Sequence, residues 1–226
     1  MHPDGPSNIA PLPDPRRRNP LVFPDGTEDP GTVFLSEVID HPNIEVGDWT
    51  YYHDRRCPED YAEMLAPYLF HGAPERLRIG KFCQIAQGAQ FVTATANHPM
   101  TGVSTYPFAV FDPDRLGGYR ATLPRGRDTV VGNDCWIGRE AMLLPGAELG
   151  HGVIVAAGSV LRGRAPDYAI VGGNPATVIR MRFEPDDVAR LLALAWWDWP
   201  AERIAAAIPA IEAADLDALA ALRPGR

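Results

Sequence analysis

Three features that would point to particular classes of protein are scarce in this chain of 226 residues. It contains only 3 Cys, which are too few and too scattered for a disulfide framework or a zinc knuckle. No apolar run approaches the roughly 18 residues of a membrane span, and the N-terminal segment lacks the apolar stretch of a secretory signal. We therefore expect a cytoplasmic protein without a membrane partner.

Basic residues are also in deficit. The 21 Lys and Arg are outnumbered by 29 Asp and Glu, which gives a net charge of −8. A duplex nucleic acid needs a basic face to neutralise its phosphates, so we expect no nucleic-acid partner. Gly and Pro are abundant by contrast, at 21 and 23. Eight of the Pro fall in residues 1–30, which we interpret as a Pro-rich N-terminal arm.

The most informative pattern is a six-residue repeat. Each hexad opens with an apolar residue: Val46, Ile79, Ile85, Phe91, Val131, Ile137, Leu143, Leu149 and Val155. The fifth position is small or β-branched: Thr50, Cys83, Ala89, Thr95, Cys135, Ala141, Ala147, Val153 and Ser159. Nine Gly occupy the second or fourth position, where we expect tight turns: Gly47, Gly80, Gly132, Gly138, Gly150, Gly88, Gly146, Gly152 and Gly158. This period predicts an all-β solenoid whose triangular coil has one hexad on each side.

The repeat also predicts the domain organisation. We expect the solenoid to span residues 31–183, with insertions at about 52–78 and 97–130 where the repeat is interrupted. Loops of that length in a compact domain are usually functional. Residues 184–226 change to a helical period, with helices predicted over 185–195 and 200–211. Asp198 is expected to cap the second of these helices.

One histidine combines a break in the repeat with a rigid neighbouring scaffold. His98 opens the second insertion, and its near-neutral imidazole suits a general base. Cys83 and Cys135 fall on the small fifth position, so we expect core residues rather than a thiol nucleophile. The remaining His have no spacing that suggests a metal site, and no metal is expected.

The repeat and this loop together resemble the hexapeptide-repeat xenobiotic acetyltransferases, the group of streptogramin A (virginiamycin) O-acetyltransferases and type B chloramphenicol acetyltransferases. The pairing of Asn97-His98 with Ser104-Thr105-Tyr106-Pro107-Phe108 is the specific part of the match. Further matching segments are residues 43–52, 79–83, 131–138, 154–160, 170–176 and 196–200.

This resemblance implies a left-handed parallel β-helix with an extended loop insertion and C-terminal α-helices. It implies a homotrimer in which acetyl-CoA lies along the solenoid wall between two subunits, while His98 removes the proton from an acceptor hydroxyl. The residues expected on the cofactor side, with backbone amides at the Gly and Ala corners as thioester and pantetheine donors, are Trp136, Gly138, Ala156, Ala157, Gly158, Arg162, Asn174, Pro175 and Arg180. Arg182 is a further candidate for the CoA phosphates, and Tyr51, Tyr106 and Asn97 are expected on the acceptor side.

The acceptor stays open at this stage. After Asn-His the antibiotic-modifying members usually carry a basic residue, then Met and Asp, whereas this chain has Pro99, Met100 and Thr101. The leading hypothesis is direct acetyl transfer to a hydroxyl of a small hydrophobic molecule. The alternatives are a sugar or other polar metabolite as acceptor, a longer acyl donor, metal-dependent hydration on the same solenoid, and a catalytically silent scaffold.

Overall fold

The computed structural model describes residues 11–123 and 126–225. They form two compact units, one of Pro15–Arg182 and one of Phe183–Arg226 together with the segment that ends at Asp14. Residues 1–10 of the predicted arm and residues 124–125 of the second insertion lie outside the described part. Residues 15–30 contain an antiparallel bridge between Val22 and Glu28 and belong to the same unit as the solenoid.

The larger unit is built from short strands that fall into three sheets. The strands are β1 (Thr32–Phe34), β2 (Ile44–Val46), β3 (Tyr51–His53), β4 (Leu77–Ile79), β5 (Gln84–Ala86), β6 (Gln90–Phe91), β7 (Thr129–Val131), β8 (Trp136–Ile137), β9 (Met142–Leu143), β10 (Glu148–Leu149), β11 (Ile154–Val155), β12 (Val160–Leu161), β13 (Arg164–Ala165), β14 (Ala169–Gly173) and β15 (Ala176–Met181). The seven-stranded sheet has the order β1-β3-β5-β8-β11-β14-β15, the five-stranded sheet β13-β10-β7-β4-β2 and the three-stranded sheet β12-β9-β6.

The strand order shows a chain that winds around three faces. β7, β8 and β9 contribute one strand each to the five-, seven- and three-stranded sheets, and β10, β11 and β12 repeat that order. Strands of successive coils pair in parallel, with Trp136 opposite Ile154 one coil of 18 residues further on. The predicted hexapeptide-repeat fold with parallel strands is confirmed. Among the strands of the described residues, only β1 and β15, at the two edges of the seven-stranded sheet, pair antiparallel to their neighbours.

Most side chains at the first and fifth positions of the hexads fill the interior as predicted, although Val46 and Thr95 are only partly buried. Ile137, Leu143 and Val155 are completely buried, and so are Cys83 and Cys135. Glycines at the second position do not turn the chain but let coils approach. A Cβ on Gly132 would lie 2.6 Å from the carbonyl oxygen of Gly150. The fourth-position glycines do have the expected positive φ, from 66° to 78°, at Gly88, Gly146, Gly152 and Gly158.

Both insertions replace regular coil with short helices. The first joins β3 to β4 and contains α1 (Tyr61–Leu65), whose N-terminus is capped by the Asp60 side chain. The second joins β6 to β7 and contains α2 (Pro113–Tyr119). One 3-10 turn, Leu35–Glu37, lies between β1 and β2, and three more, Ala94–Ala96, Phe108–Phe111 and Arg120–Thr122, lie between β6 and β7.

The smaller unit is helical. It contains α3 (Pro185–Leu194), a 3-10 turn (Trp196–Asp198), α4 (Ala201–Glu212) and α5 (Leu216–Ala221). The two predicted helices are confirmed within a few residues, whereas α5 was not predicted. The expected cap at Asp198 is wrong, because Asp198 ends the 3-10 turn and Pro200 occupies the N-cap position of α4 without a side-chain hydrogen bond.

Candidate active site

His98 lies on the outgoing stem of the second insertion. The 3-10 turn Ala94–Ala96 ends at Asn97, whose N–H donates to the carbonyl of Ala94 at 3.0 Å. The His98 side chain that follows is exposed, and its Nδ1 lies 3.2 Å from the phenol oxygen of Tyr119 at the end of α2. The other ring nitrogen, Nε2, is the one left to act on a substrate.

An open cavity of about 210 Å³ adjoins this histidine. Its lining is mainly apolar and aromatic and comes entirely from the second insertion: Pro99, Ser104, Tyr106, Pro107, Phe108, Ala109, Arg115, Tyr119 and Thr122. The ring of Tyr106 is held by Phe108 and Phe111, with ring centroids 4.7 and 5.5 Å apart. Such a surface suits a small hydrophobic molecule with a few polar groups.

The three residues predicted for the acceptor side are placed differently. Tyr106 lines the cavity, and Asn97 immediately precedes His98 on the loop. Tyr51 does not line the cavity. It is half-buried on β3, opposite Gln84 of β5, and its burial raises the pKa of its phenol above the ordinary value.

Most residues predicted for the cofactor side gather at another edge, the corner between the seven- and three-stranded sheets. Trp136 stands on the outer face of β8 with 49% of its surface exposed. The corner after β8 begins at Gly138, and the corner of the next coil is formed by Ala156, Ala157 and Gly158. A Cβ on Gly138 would lie 2.6 Å from the amide nitrogen of Ala157, so Gly138 leaves the space above that amide open.

Of the four backbone amides predicted to donate to the cofactor, hydrogen bonding within the solenoid leaves one available. The N–H groups of Gly138, Ala156 and Gly158 donate to the carbonyls of Val155, Val171 and Arg139, at 2.8, 2.9 and 2.8 Å. These three amides are therefore not available to a ligand, contrary to expectation. Within the described residues, only the Ala157 amide of the four donates to no protein carbonyl, and Ala157 is exposed.

Asn174 and Pro175 continue the same corner in the following coil. They form the turn between β14 and β15, and the peptide bond between them is cis. The preceding Gly172 packs closely on the corner below, since a Cβ there would lie 3.2 Å from the Cβ of Ala156. The turn is thus joined by direct packing to the Ala156–Gly158 segment.

The three candidate arginines differ in how far they are already engaged. Arg162 is exposed after β12. Arg180 is exposed on β15 and donates only to the neighbouring carbonyl of Met181, at 3.1 Å. Arg182 donates to the carbonyl of Gly152 at 2.6 Å, lies 3.7 Å from the Asp134 carboxylate and sits over the Tyr168 ring. Arg182 is thus the most engaged of the three within the chain.

Tyr119 is the residue near His98 that the sequence did not reveal. It lies 21 positions further along the chain in a segment without repeat or motif, and only the fold of the insertion brings its hydroxyl to the imidazole. No spacing in the sequence marks Tyr119.

Among the described residues, no group of three or more His, Cys, Asp or Glu is arranged to hold a metal ion. Nor does any described helix have the length and apolar content needed to cross a membrane.

Comparison with known proteins decides the family. Residues 128–163 match the family model "Bacterial transferase hexapeptide (six repeats)". The chain is 40% identical over 193 residues to a chloramphenicol acetyltransferase of Agrobacterium fabrum, covering 83% of this chain and 90% of that one. This chain belongs to the hexapeptide-repeat xenobiotic acetyltransferases. It is therefore an acetyltransferase, and acetyl-CoA is its acyl donor.

Other xenobiotic acetyltransferases match at similar identity. A chloramphenicol acetyltransferase of Escherichia coli is 38% identical over 180 residues, covering 77% of this chain and 85% of that one. A virginiamycin A acetyltransferase of Staphylococcus aureus is 35% identical over 191 residues, covering 82% and 84%. The identities of this chain to relatives named for two different antibiotics, 40% and 35%, are thus similar. Overall identity does not select between those two acceptors.

Proposed function

We propose that this protein transfers the acetyl group of acetyl-CoA directly to a hydroxyl of a small hydrophobic molecule, with His98 as the general base. The observation that carries this proposal is a mainly apolar cavity lined by Pro99, which follows His98 in the chain, and by Tyr119, whose hydroxyl contacts the His98 imidazole. Chloramphenicol and virginiamycin A, the molecules for which relatives are named, are the first acceptors to test. We further infer left-handed winding of the solenoid and a cytoplasmic location, in line with the family.

The chemistry requires one proton to move twice. A hydroxyl is a poor nucleophile, so His98 Nε2 takes its proton while the oxygen attacks the thioester carbonyl carbon. The tetrahedral intermediate then collapses, the carbon–sulfur bond breaks and the sulfur receives the proton from His98. This use of Nε2 requires the other proton on Nδ1, where it is donated to the phenol oxygen of Tyr119.

The negative oxygen of the intermediate needs a donor that is already in place. Ala157 supplies the one predicted corner amide that the solenoid leaves available, and the missing side chain of Gly138 keeps access to it open. We assign this amide to the thioester oxygen or to an amide carbonyl of the pantetheine arm.

The exposed corner above and below this amide fits the rest of the cofactor. Trp136 offers an apolar wall to the pantetheine chain, which would cover an indole that is now half exposed. Asn174 and Pro175 border the adenine in this proposal, while Arg162 and Arg180 meet the CoA phosphates. We propose that no metal takes part, because the base and the amide donor suffice for acyl transfer.

The two halves of the site lie on different parts of one chain, which supports a homotrimer. The cavity beside His98 contains none of the predicted cofactor residues. The His98 insertion leaves after β6 of the three-stranded sheet and returns to β7 of the five-stranded sheet, whereas the Trp136–Ala157 corner joins the seven- and three-stranded sheets. We infer that the His98 loop of one subunit meets the cofactor corner of its neighbour.

Mixed oligomers test this arrangement. At acetyl-CoA concentrations below KM, subunits with His98→Ala and subunits with Trp136→Ala are each defective, and a mixture refolded together should regain activity because some interfaces contain neither change. Equilibrium sedimentation of the unchanged protein should give three times the chain mass. A fully active monomer at assay concentration would contradict the shared site.

His98→Ala is the decisive test of the proposed chemistry. The variant should keep its oligomeric state and its affinity for acetyl-CoA, while kcat for acetyl transfer falls at least about a hundredfold. Release of the CoA thiol with chloramphenicol, virginiamycin A and a panel of sugars identifies the acceptor class. Full activity of His98→Ala with every acceptor would end the proposal.

A further inference from the structure

Glu75 is a buried carboxylate that the proposed chemistry does not use. It is 2% exposed and lies near the end of the first insertion, two residues before β4. Carboxylates are almost never fully buried unless they are paired, because removing the charge from water is costly. No ion pair of Glu75 occurs within the described residues, so its burial needs another explanation.

The two oxygens of this carboxylate lie between the stems of the second insertion. Oε1 accepts the N–H of Thr95 at 3.1 Å, three residues before His98 on the outgoing stem. Oε2 has no hydrogen-bond partner within the described part of the chain and faces Gly126 on the returning stem. A Cβ on Gly126 would lie 3.2 Å from Oε2 and 2.5 Å from the Cβ of Ala94. Both stems therefore close around Glu75.

The backbone that carries Glu75 is itself held firmly. The buried side-chain amide of Asn43 donates to the carbonyls of Ala73 and Glu75, at 2.8 and 2.9 Å. The next residue, Arg76, receives a hydrogen bond from the N–H of Thr129 at 2.9 Å and donates its own N–H to Asp128 at 2.9 Å. The carboxylate thus projects from a fixed point on the solenoid.

A further tie joins the outgoing stem to the first insertion. The hydroxyl of Thr95 donates to the carbonyl of Tyr68 and lies 2.9 Å from the hydroxyl of Thr93. Thr95 is thus anchored through its amide to Glu75 and through its side chain to Tyr68. Beyond Thr95 the chain is a long surface insertion, a class of segment that moves more than the elements it connects.

We propose that Glu75 is a positioning residue for His98. Its carboxylate lies between the two stems of the second insertion at Thr95 and Gly126, a place that we call the neck. It thereby fixes the direction in which the His98 loop leaves the solenoid. This inference rests on the proposed role of His98 as general base. A displacement of about 1 Å in a catalytic group can cost a hundredfold in rate, so a small change at the neck can lower kcat strongly.

Two substitutions at Glu75 separate the hydrogen bond from the charge. Glu75→Ala removes the acceptor for Thr95, and we expect kcat to fall at least about tenfold while KM for acetyl-CoA stays within about twofold. Glu75→Gln keeps an acceptor oxygen of the same reach, and we expect it to retain kcat within about twofold. If Glu75→Gln loses as much kcat as Glu75→Ala, the hydrogen bond to Thr95 is not what positions the loop, and the proposal is overturned.

Gly126→Ala tests the same neck with Glu75 intact. The added methyl group meets Ala94 and the Glu75 carboxylate, so the stems must separate. We expect kcat to fall as in Glu75→Ala, with KM for acetyl-CoA again unchanged. Unchanged kcat in Gly126→Ala would contradict the idea that stem closure sets the position of His98.

Thr32→Val is the matched control for a loss of stability alone. The Thr32 hydroxyl is buried on β1, donates to Asp29 at 2.5 Å and lies 2.9 Å from His53 Nδ1, away from the second insertion. Its replacement should lower Tm and leave kcat unchanged at a temperature where the protein is folded. If Glu75→Ala behaves like this control, Glu75 only stabilises the fold and the proposal is wrong.

His98→Ala in the same assay separates the two proposals. If His98→Ala keeps its activity, the proposed function fails whatever Glu75 does. If His98→Ala is inactive while Glu75→Ala is fully active, only the positioning role fails. Where both hold, the double variant should be no slower than His98→Ala, because Glu75 acts through His98.

Discussion

The imidazole of His98 and the phenol of Tyr119 form a 3.2 Å contact between the start of the second insertion and the end of α2. The contact gives an exposed histidine a defined partner on one ring nitrogen. A neutral imidazole carries its proton on either nitrogen, and a partner on Nδ1 determines which nitrogen remains basic. Tyr119 therefore sets both the orientation of the imidazole ring and the nitrogen on which the proposed base accepts a proton.

Tyr119→Phe tests this contact. The ring stays in the cavity but the oxygen that accepts from Nδ1 is gone, so the imidazole is free to rotate and to exchange tautomers. We expect kcat to fall about three- to tenfold with little change in KM for acetyl-CoA. Steady-state kinetics with saturating acceptor give the measurement. Tyr68→Phe, which deletes an exposed phenol hydroxyl in the first insertion, is the control and should leave kcat unchanged.

Trp136→Ala tests the cofactor corner. If the exposed indole covers the pantetheine arm, its removal should raise KM for acetyl-CoA about tenfold and change kcat much less. Val130→Ala removes a similarly exposed apolar side chain from the five-stranded sheet and should change neither constant. Equal effects of the two substitutions would show that general stability, not cofactor contact, is responsible.

Gly132→Ala tests the close approach of the coils. The new Cβ would lie 2.6 to 2.8 Å from backbone atoms of Gly150 and His151, which cannot move without displacing a whole coil. We expect the free energy of unfolding to fall by about 1–3 kcal/mol, measured by urea at one fixed protein concentration. Gly117→Ala in α2, where nothing lies within 4 Å of the new Cβ, should be neutral or stabilising. An unchanged urea midpoint in Gly132→Ala would contradict the steric argument.

Asp134 should make stability depend on pH. Burial raises the pKa of its carboxyl to about 6, although the Arg182 guanidinium 3.7 Å away favours ionisation. Because this pKa exceeds the ordinary 3.8 of an unfolded chain, the folded state binds more protons between about pH 4 and 6. The free energy of unfolding should therefore fall as the pH rises through that window.

Asp134→Asn isolates this contribution. Asn tolerates the φ of 58° as Asp does, so the backbone should be preserved. The variant should gain stability relative to the unchanged protein as pH rises from 4 to 7, by an amount on the order of 2 kcal/mol. Urea unfolding at several pH values measures the difference. A difference in stability between Asp134→Asn and the unchanged protein that stays flat over this pH range would refute the assignment.

The solenoid could be predicted because its six-residue period is visible in the sequence itself. Each hexad repeats one side of a coil, so burial at Ile137 or Cys135 follows from position alone. The glycines were predicted as turn formers, which holds for Gly158 with its φ of 67°. Gly132 is required for a different reason, its contact with the next coil, and a single sequence does not reveal contacts between coils.

The site could be predicted only in part, for a related reason. His98 was proposed as the base from a motif of adjacent residues, whereas its partner Tyr119 is brought to it only by the fold of the insertion. The hydrogen bonds that engage the Gly138 amide but spare that of Ala157 depend on the neighbouring coil. Local sequence thus suggests a candidate base more readily than it suggests the groups that contact this base.

The antiparallel strands β1 and β15 bear on how the protein stays discrete. A stack of parallel coils ends in an edge strand whose unpaired N–H and C=O groups can bind another parallel strand, from a further coil or from another molecule. At both edges of the seven-stranded sheet the chain instead reverses direction, so a new coil cannot continue the same ladder in register. The reversals act as terminators of the repeat: they limit the number of coils and oppose end-to-end growth into a fibre.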